Sequence, residues 1–182
     1  TLLREGVFVV QPSFDPDRVL DAMDRQAIST TILVPTMIYR LLDALGDRPA
    51  PASLKRIYYG ASAMSPTRLK EGLDRLGKVF FQFYGQAECP MTVTVLRPEE
   101  HDPADPARLA SCGRPLPWLD VTLADDNGDP VPDGEPGEIC VRGPLVMKEY
   151  LNQPELTAQT LRDGWLHTGD IARADDEGYL TI

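Results

Sequence analysis

Five consecutive residues, Tyr84-Gly85-Gln86-Ala87-Glu88, set an aromatic ring, a glycine and a carboxylate directly after the apolar run Val79-Phe80-Phe81-Gln82-Phe83. A ring of this kind can stack on a base. A glycine lets another group approach the backbone closely. A carboxylate suits a hard cation such as Mg²⁺. A second group, Gly164-Trp165-Leu166-His167-Thr168-Gly169-Asp170, ends on another carboxylate. Being acceptor-only, it can take hydrogen bonds from two ribose hydroxyls. Each piece also has an ordinary use: an exposed glutamate, a core tyrosine, an aspartate in a turn. Together they outline a nucleotide site.

The elements that would position these residues alternate at first between strand and helix. Val7–Val10 is a short β-rich run. From Asp15 to Ile28 the apolar residues Val19, Leu20, Met23, Ala27 and Ile28 fall at helical spacing, with Asp15 as cap and Pro16 at the first helical position. A β-branched strand over 30–34, a helix over 36–45 stopped by Gly46, and a strand over 54–59 ending at Gly60 follow. Ser65-Pro66 opens a helix that Gly77 closes, and strands are expected over 79–84 and 91–96. Such alternation predicts parallel strands in a helix-covered sheet, with ligands beyond the carboxyl ends of the strands. Gly60-Ala61-Ser62 and Tyr84–Glu88 both lie at such ends.

Near Pro98 the composition changes. Between Glu99 and Glu138 eleven acidic residues face two arginines, Arg108 and Arg114, and turn pairs such as Asn127-Gly128 and Asp133-Gly134 separate short strand patterns. Strands are expected over 119–124, 138–142, 165–167 and 178–182, with a short helix near 154–161. The expected architecture is α/β: a mostly parallel sheet over residues 1–105, then a small antiparallel, β-barrel-like part over 106–182.

The 182 residues suffice for one domain or two small subdomains with a real core. A net charge of −10 argues against nucleic acid as a partner. Cys89, Cys112 and Cys140 show no metal-ligand spacing and read as reduced thiols of a cytoplasmic protein. No transmembrane segment is expected. Without a starting Met, and ending on the strand-like Tyr179–Ile182, the chain reads as a piece of a longer protein.

The order of four stretches resembles the adenylate-forming superfamily of acyl-CoA synthetases, luciferases and peptide-synthetase adenylation domains. Val34–Leu42 resembles its acyl-pocket strand and helix, and Tyr59–Ser65 its adenine loop. Tyr84–Glu88 resembles its Y-G-x-T-E motif. Gly137-Glu138-Ile139, Gly143, Tyr150, Trp165 and Thr168-Gly169-Asp170 resemble its later nucleotide motifs. The resemblance implies that Glu88 binds the Mg²⁺ of ATP and that Asp170 holds the ribose. It gives Gly60, Ala61, Ser62, Gln82, Phe83, Tyr84, Gly85, Gln86 and Ala87 to the nucleotide, and Val34, Ile38, Tyr59 and Gly113 to the substrate pocket. Two positions depart from the family: Ala87 replaces the usual threonine, and Glu149 stands where many relatives have glycine. The family's phosphate loop and its lysine-bearing C-terminal domain are not in this sequence, so the chain alone is expected to be nearly inactive.

The implied activity is that of a carboxylate–CoA ligase, with a fatty acid expected as substrate and ATP and coenzyme A as co-substrates. Two alternatives stay open. Asp15 after Phe14 resembles a peptide-synthetase pocket for an amino acid, and Ala87 favours a non-catalytic nucleotide-binding module.

Overall fold

The computed structural model describes residues 6–182, apart from the side chains of Met91 and Thr92. Among the described residues, ten strands and five helices follow one another in two parts. The first holds α1 (Pro16–Arg25), β1 (Thr30–Leu33), α2 (Pro35–Leu45), β2 (Arg56–Gly60), α3 (Pro66–Leu76), β3 (Phe80–Gln86) and β4 (Cys89–Leu96). A 3-10 turn at Pro98–Glu100, α4 (Pro106–Ala110) and β5 (Arg114–Pro115) connect to the second part. That part holds β6 (Asp120–Ala124), β7 (Gly137–Arg142), α5 (Pro154–Thr160), β8 (Leu161–Arg162), β9 (Trp165–Ala174) and β10 (Leu180–Thr181).

Local chemistry sets the helix ends. The Asp15 carboxylate accepts from the Arg18 N–H at 3.0 Å, which satisfies one of the four free donors at the start of α1. Pro35 and Pro66 stand at the first positions of α2 and α3. There proline loses no intrahelical bond. Gly46 and Gly77 end the same two helices.

The first sheet has the order β1-β2-β3-β4-β5. The pairs β1–β2 and β2–β3 are parallel; β3–β4 and β4–β5 are antiparallel. The parallel region is therefore confined to the strands separated by helices. One face of this sheet (Leu33, Ile57, Tyr59 and Phe80) buries against Leu20 and Met23 of α1, Leu41 and Leu45 of α2, Leu69 and Leu73 of α3, and Leu109 of α4. Burial of each such side chain is worth roughly 1.5–3 kcal/mol relative to exposure. The opposite face carries the half-buried rings of Tyr58, Phe81 and Phe83, packed edge to face at 5.2 and 5.6 Å.

The second sheet has the order β10-β9-β7-β6 with β8 alongside β9, all antiparallel. Its core holds Ile139, Val141, Leu166, Ala172 and Leu180, joined by Cys89 and Val93 of β4. β4 thus belongs to the first sheet while its side chains Cys89 and Val93 pack in the second core. The architecture changes after β5, because α4 packs on α3 and β5 still pairs with β4. Leu109 of α4, beyond the acidic and proline-rich stretch that begins near Pro98, still packs in the first core.

Two expectations need correction. Val7–Val10 forms no strand, and Val7, Phe8 and Val10 are exposed. The strand expected to stop at His167 instead runs on to Ala174 through the Thr-Gly-Asp segment.

Gly113 joins the two parts. Cys112 donates to the Leu180 carbonyl at 2.7 Å, and Leu180 donates to the Gly113 carbonyl at 2.9 Å. Gly113 has φ +89°, and a Cβ there would stand 2.1 Å from the Val95 carbonyl. Gly113→Ala should therefore lose about 3 kcal/mol or more of unfolding free energy, from backbone strain and the clash together. Urea denaturation checks this: an unchanged midpoint would show that the junction yields easily.

Candidate active site

The register of the parallel strands aligns the candidate residues. Leu33 pairs with Tyr59, and Tyr59 with Gln82, while Gly60 pairs with Phe83. Val34, Ala61 and Tyr84 thus leave the same edge of the sheet, the carboxyl edge. Gly60 is required there by strand packing: a Cβ would lie 2.2 Å from the Phe83 carbonyl oxygen. Ala61 takes φ +67°, and Ala61 and Ser62 are exposed at this edge.

β3 continues beyond the edge into a hairpin with β4. Gln86 pairs with Cys89, so Ala87 and Glu88 form the two-residue turn. Between the Tyr84–Thr94 and Gln86–Cys89 pairs, two steps on β3 face five on β4. This irregularity spans Gly85 and Pro90, and proline cannot donate to a ladder.

A second irregularity presents Asp170. Glu138 pairs with Ile171 and Cys140 with His167, so four steps on β9 face two on β7. The extra residues, with Gly169 at φ +76°, push Thr168–Asp170 out of the regular ladder. The Thr168 hydroxyl donates to the Ile139 carbonyl at 2.8 Å and accepts from the Asp170 N–H at 3.1 Å. The Gly169 N–H donates to Glu138 Oε1 at 2.8 Å.

The two projections meet. The Tyr84 hydroxyl donates to Asp170 Oδ2 at 2.6 Å. The Gln86 amide donates to the same oxygen at 2.9 Å and to the Thr168 carbonyl at 2.8 Å. Oδ1 is left as the carboxylate's second acceptor. Burial first, and the bond to Asp170 second, hold the Tyr84 phenol well above its ordinary pKa, so it remains a donor at neutral pH.

Glu88 is half-buried at the hairpin tip. The Tyr150 hydroxyl donates to its Oε1 at 2.5 Å, and the Met147 N–H donates to its carbonyl at 2.8 Å. Oε2 stays as a hard anionic oxygen of the type that Mg²⁺ prefers, so the site fits that ion. The bond to Glu88 also raises the Tyr150 pKa.

Four expected site positions turn away from the edge. Side chains alternate along a strand, which sends Tyr59 and Gln82 to the helix side. There the Tyr59 hydroxyl lies 3.0 Å from both Gln82 Oε1 and His101 Nε2. Ile38 is buried in the first core, and Gly113 packs on the β4 backbone. Val34, Phe83, Gly85 and Gln86 are half-buried at or beyond the edge. Asp15, the feature that pointed to an amino-acid pocket, is engaged as the cap of α1.

Residue spacing gave no sign of the bridge from Tyr150 to Glu88, although both lie in the quoted motifs. It also missed His101, which is fully buried with its Nδ1 2.7 Å from the Arg97 carbonyl. Burial holds the His101 pKa below its ordinary value.

The AMP-binding enzyme family matches residues 1–151. The chain belongs to that family. It is 47% identical to a medium/long-chain-fatty-acid–CoA ligase of Mycobacterium tuberculosis over 183 residues, which is 100% of this chain and 32% of the relative. It is 40% identical to a feruloyl-CoA synthase of an Amycolatopsis species, over 100% of this chain and 36% of the relative. Among solved structures it resembles the O-succinylbenzoate–coenzyme A synthetase of Bacillus subtilis in complex with ATP and magnesium ion. That likeness has a TM-score of 0.81 at 32% identity and covers 92% of this chain and 34% of the other. The chain spans about a third of the length of the curated relatives it matches.

The contact between Tyr84 and Asp170 can be measured as a coupling. Tyr84→Phe and Asp170→Ala should each lose about 1–2 kcal/mol of stability. Combined in a double-mutant cycle they should show an interaction energy of about 1 kcal/mol or more. Additive losses in urea denaturation would mean that the bond is absent in solution.

Proposed function

We propose that the protein containing this chain is an ATP-dependent carboxylate–CoA ligase acting on fatty acids, and that this segment supplies its adenosine, metal and acyl-facing positions. The observation that carries the reading is the convergence of Tyr84 and Gln86 on Asp170 beyond the carboxyl edge of the sheet. In this reading the Tyr84 ring lies against adenine, and Asp170 accepts from the ribose hydroxyls. Glu88 ligates the cation, with Tyr150 keeping its other oxygen in place. When bound, Mg²⁺ would neutralise phosphate charge as pyrophosphate leaves.

The substrate carboxylate forms a bond to the α-phosphorus of ATP while the bond from that phosphorus to the bridging oxygen of pyrophosphate breaks. Coenzyme A thiolate then attacks the acyl carbon and AMP leaves with the electron pair. Positioning and charge neutralisation supply most of the catalysis in the first step. Ala87 is an exposed turn residue. A hydroxyl is absent there, and phosphate contacts fall to backbone N–H groups and the cation.

The fatty-acid assignment rests on the 47% identity to the mycobacterial ligase. Feruloyl and O-succinylbenzoyl acids are substrates in the names of other relatives, so an aromatic acid is the second reading. The amino-acid reading loses its support, because the Asp15 carboxylate already caps a helix.

The test is pyrophosphate release by the full-length protein over a panel of fatty, aromatic and amino acids, with and without coenzyme A. Release with fatty acids, and thioester once coenzyme A is added, is the expected result. Glu88→Gln should lower that rate about a hundredfold or more, as expected when a group that stabilises transition-state charge is removed. Release with amino acids alone, or binding of ATP with no release for any acid, would overturn the proposal.

A further inference from the structure

Behind the bulge that presents Asp170 lies a second group of chemistry-bearing side chains. Glu138 and Cys140 stand two apart on β7 and so share one face of the strand. His167 is the cross-strand partner of Cys140 on β9. Their Oε, Sγ and ring nitrogen atoms all lie within 4.8 Å of one another. His167 Nδ1 is 2.7 Å from Glu138 Oε2 and 3.4 Å from Cys140 Sγ. The cysteine is buried, and only 10% of the His167 side chain and 19% of the Glu138 side chain remain exposed.

The contacts at Nδ1 are in conflict. Glu138 Oε2 only accepts hydrogen bonds, yet the Arg162 guanidinium, which only donates, reaches the same nitrogen at 2.6 Å. A ring nitrogen carries either a proton or a lone pair, so it cannot satisfy both. A cation on the three ligand atoms resolves the conflict. Nδ1 gives its lone pair to the ion, Oε2 binds the ion too, and Arg162, whose side chain is 48% exposed, swings to solvent.

We propose that Glu138, Cys140 and His167 form a binding site for a borderline divalent metal ion such as Zn²⁺, separate from the Mg²⁺ position at Glu88. One thiolate, one imidazole and one carboxylate make a ligand set for Zn²⁺ or Co²⁺ and a poor one for Mg²⁺. Around a tetrahedral zinc the sulfur–nitrogen and nitrogen–oxygen separations are about 3.5 and 3.3 Å. The Cys140–His167 pair is already at its distance, and the Glu138–His167 pair opens by roughly 0.6 Å. Water completes the fourth position. Burial, reinforced by the charge of Glu138 and opposed by Arg162, pushes the Cys140 thiol up to about 11. A bound cation takes the thiolate form, so binding would release the thiol proton. Glu138 keeps Gly169 on its other oxygen, so the ion would sit one hydrogen bond from the backbone that bears Asp170.

The probe is Co²⁺ titrated into the full chain. The expected result is a near-ultraviolet thiolate-to-cobalt charge-transfer band that saturates at one equivalent. Zn²⁺ should displace it and Mg²⁺ should not. Cys140→Ser should abolish the band. Arg162→Ala, a substitution at an exposed arm, should tighten binding about fivefold or more by removing a competing cation. This second variant keeps the test decisive should Cys140→Ser fail to fold. No band in the folded protein, a band that survives Cys140→Ser, or binding unchanged or weakened by Arg162→Ala would overturn the proposal.

Discussion

The candidate site depends on one carboxylate oxygen. Asp170 Oδ2 accepts from a phenol and an amide that lie 86 and 84 positions earlier in the chain. These bonds tie the tip of the α/β part to the middle of the antiparallel part. They also fix which oxygen of Asp170 is occupied within the protein and which is presented outward. A charge-assisted bond of this kind is about twice as strong as a neutral one. It gains further from the half-buried setting of Tyr84 and Gln86.

Nothing local to either partner would bring them together; the two cores do. β4 buries Cys89 and Val93 in the second core while its neighbour β3 packs Phe80 in the first. Farther along, the Tyr179 ring lies under the Arg108 guanidinium at 3.4 Å and beside Arg114 at 4.7 Å, and its hydroxyl donates to Glu100 at 3.0 Å. With the exchange between Cys112–Gly113 and Leu180, this fixes the last strand of the second sheet on the connection from the first. The site can then be built from two ladder irregularities, one opposite Gly85 and one at Gly169. A regular register would leave Asp170 in the ladder.

Periodicity in the sequence sufficed for α1, α2, α3 and the three parallel strands, because each has a cap or a glycine stop and a clear apolar face. It failed where the outcome depends on partners distant in sequence. Val7–Val10 has β-branched residues but pairs with no strand, and Val7, Phe8 and Val10 stay exposed. Thr168-Gly169-Asp170 has the composition of a turn, yet β7 is available to pair on both sides of it, and the ladder resumes at Ile171. The resemblance gives Gln82 to the nucleotide and Tyr59 to the substrate pocket, but strand alternation sends both side chains inward. Glu88, Tyr84 and Asp170 were legible as a set of residue types. Their mutual geometry was not, since it follows from the bulges. Glu138 and His167 lie in stretches that stand out in the sequence, but with Cys140 they become a ligand set only across a strand pair.

The most direct test is a structure of the full-length protein with AMP. In that complex the ribose hydroxyls are expected to donate to the Asp170 carboxylate, chiefly Oδ1, with adenine against the Tyr84 ring and the Tyr84–Asp170 bond kept. A nucleotide bound elsewhere, or one that displaces Tyr84 from Asp170, would contradict this arrangement.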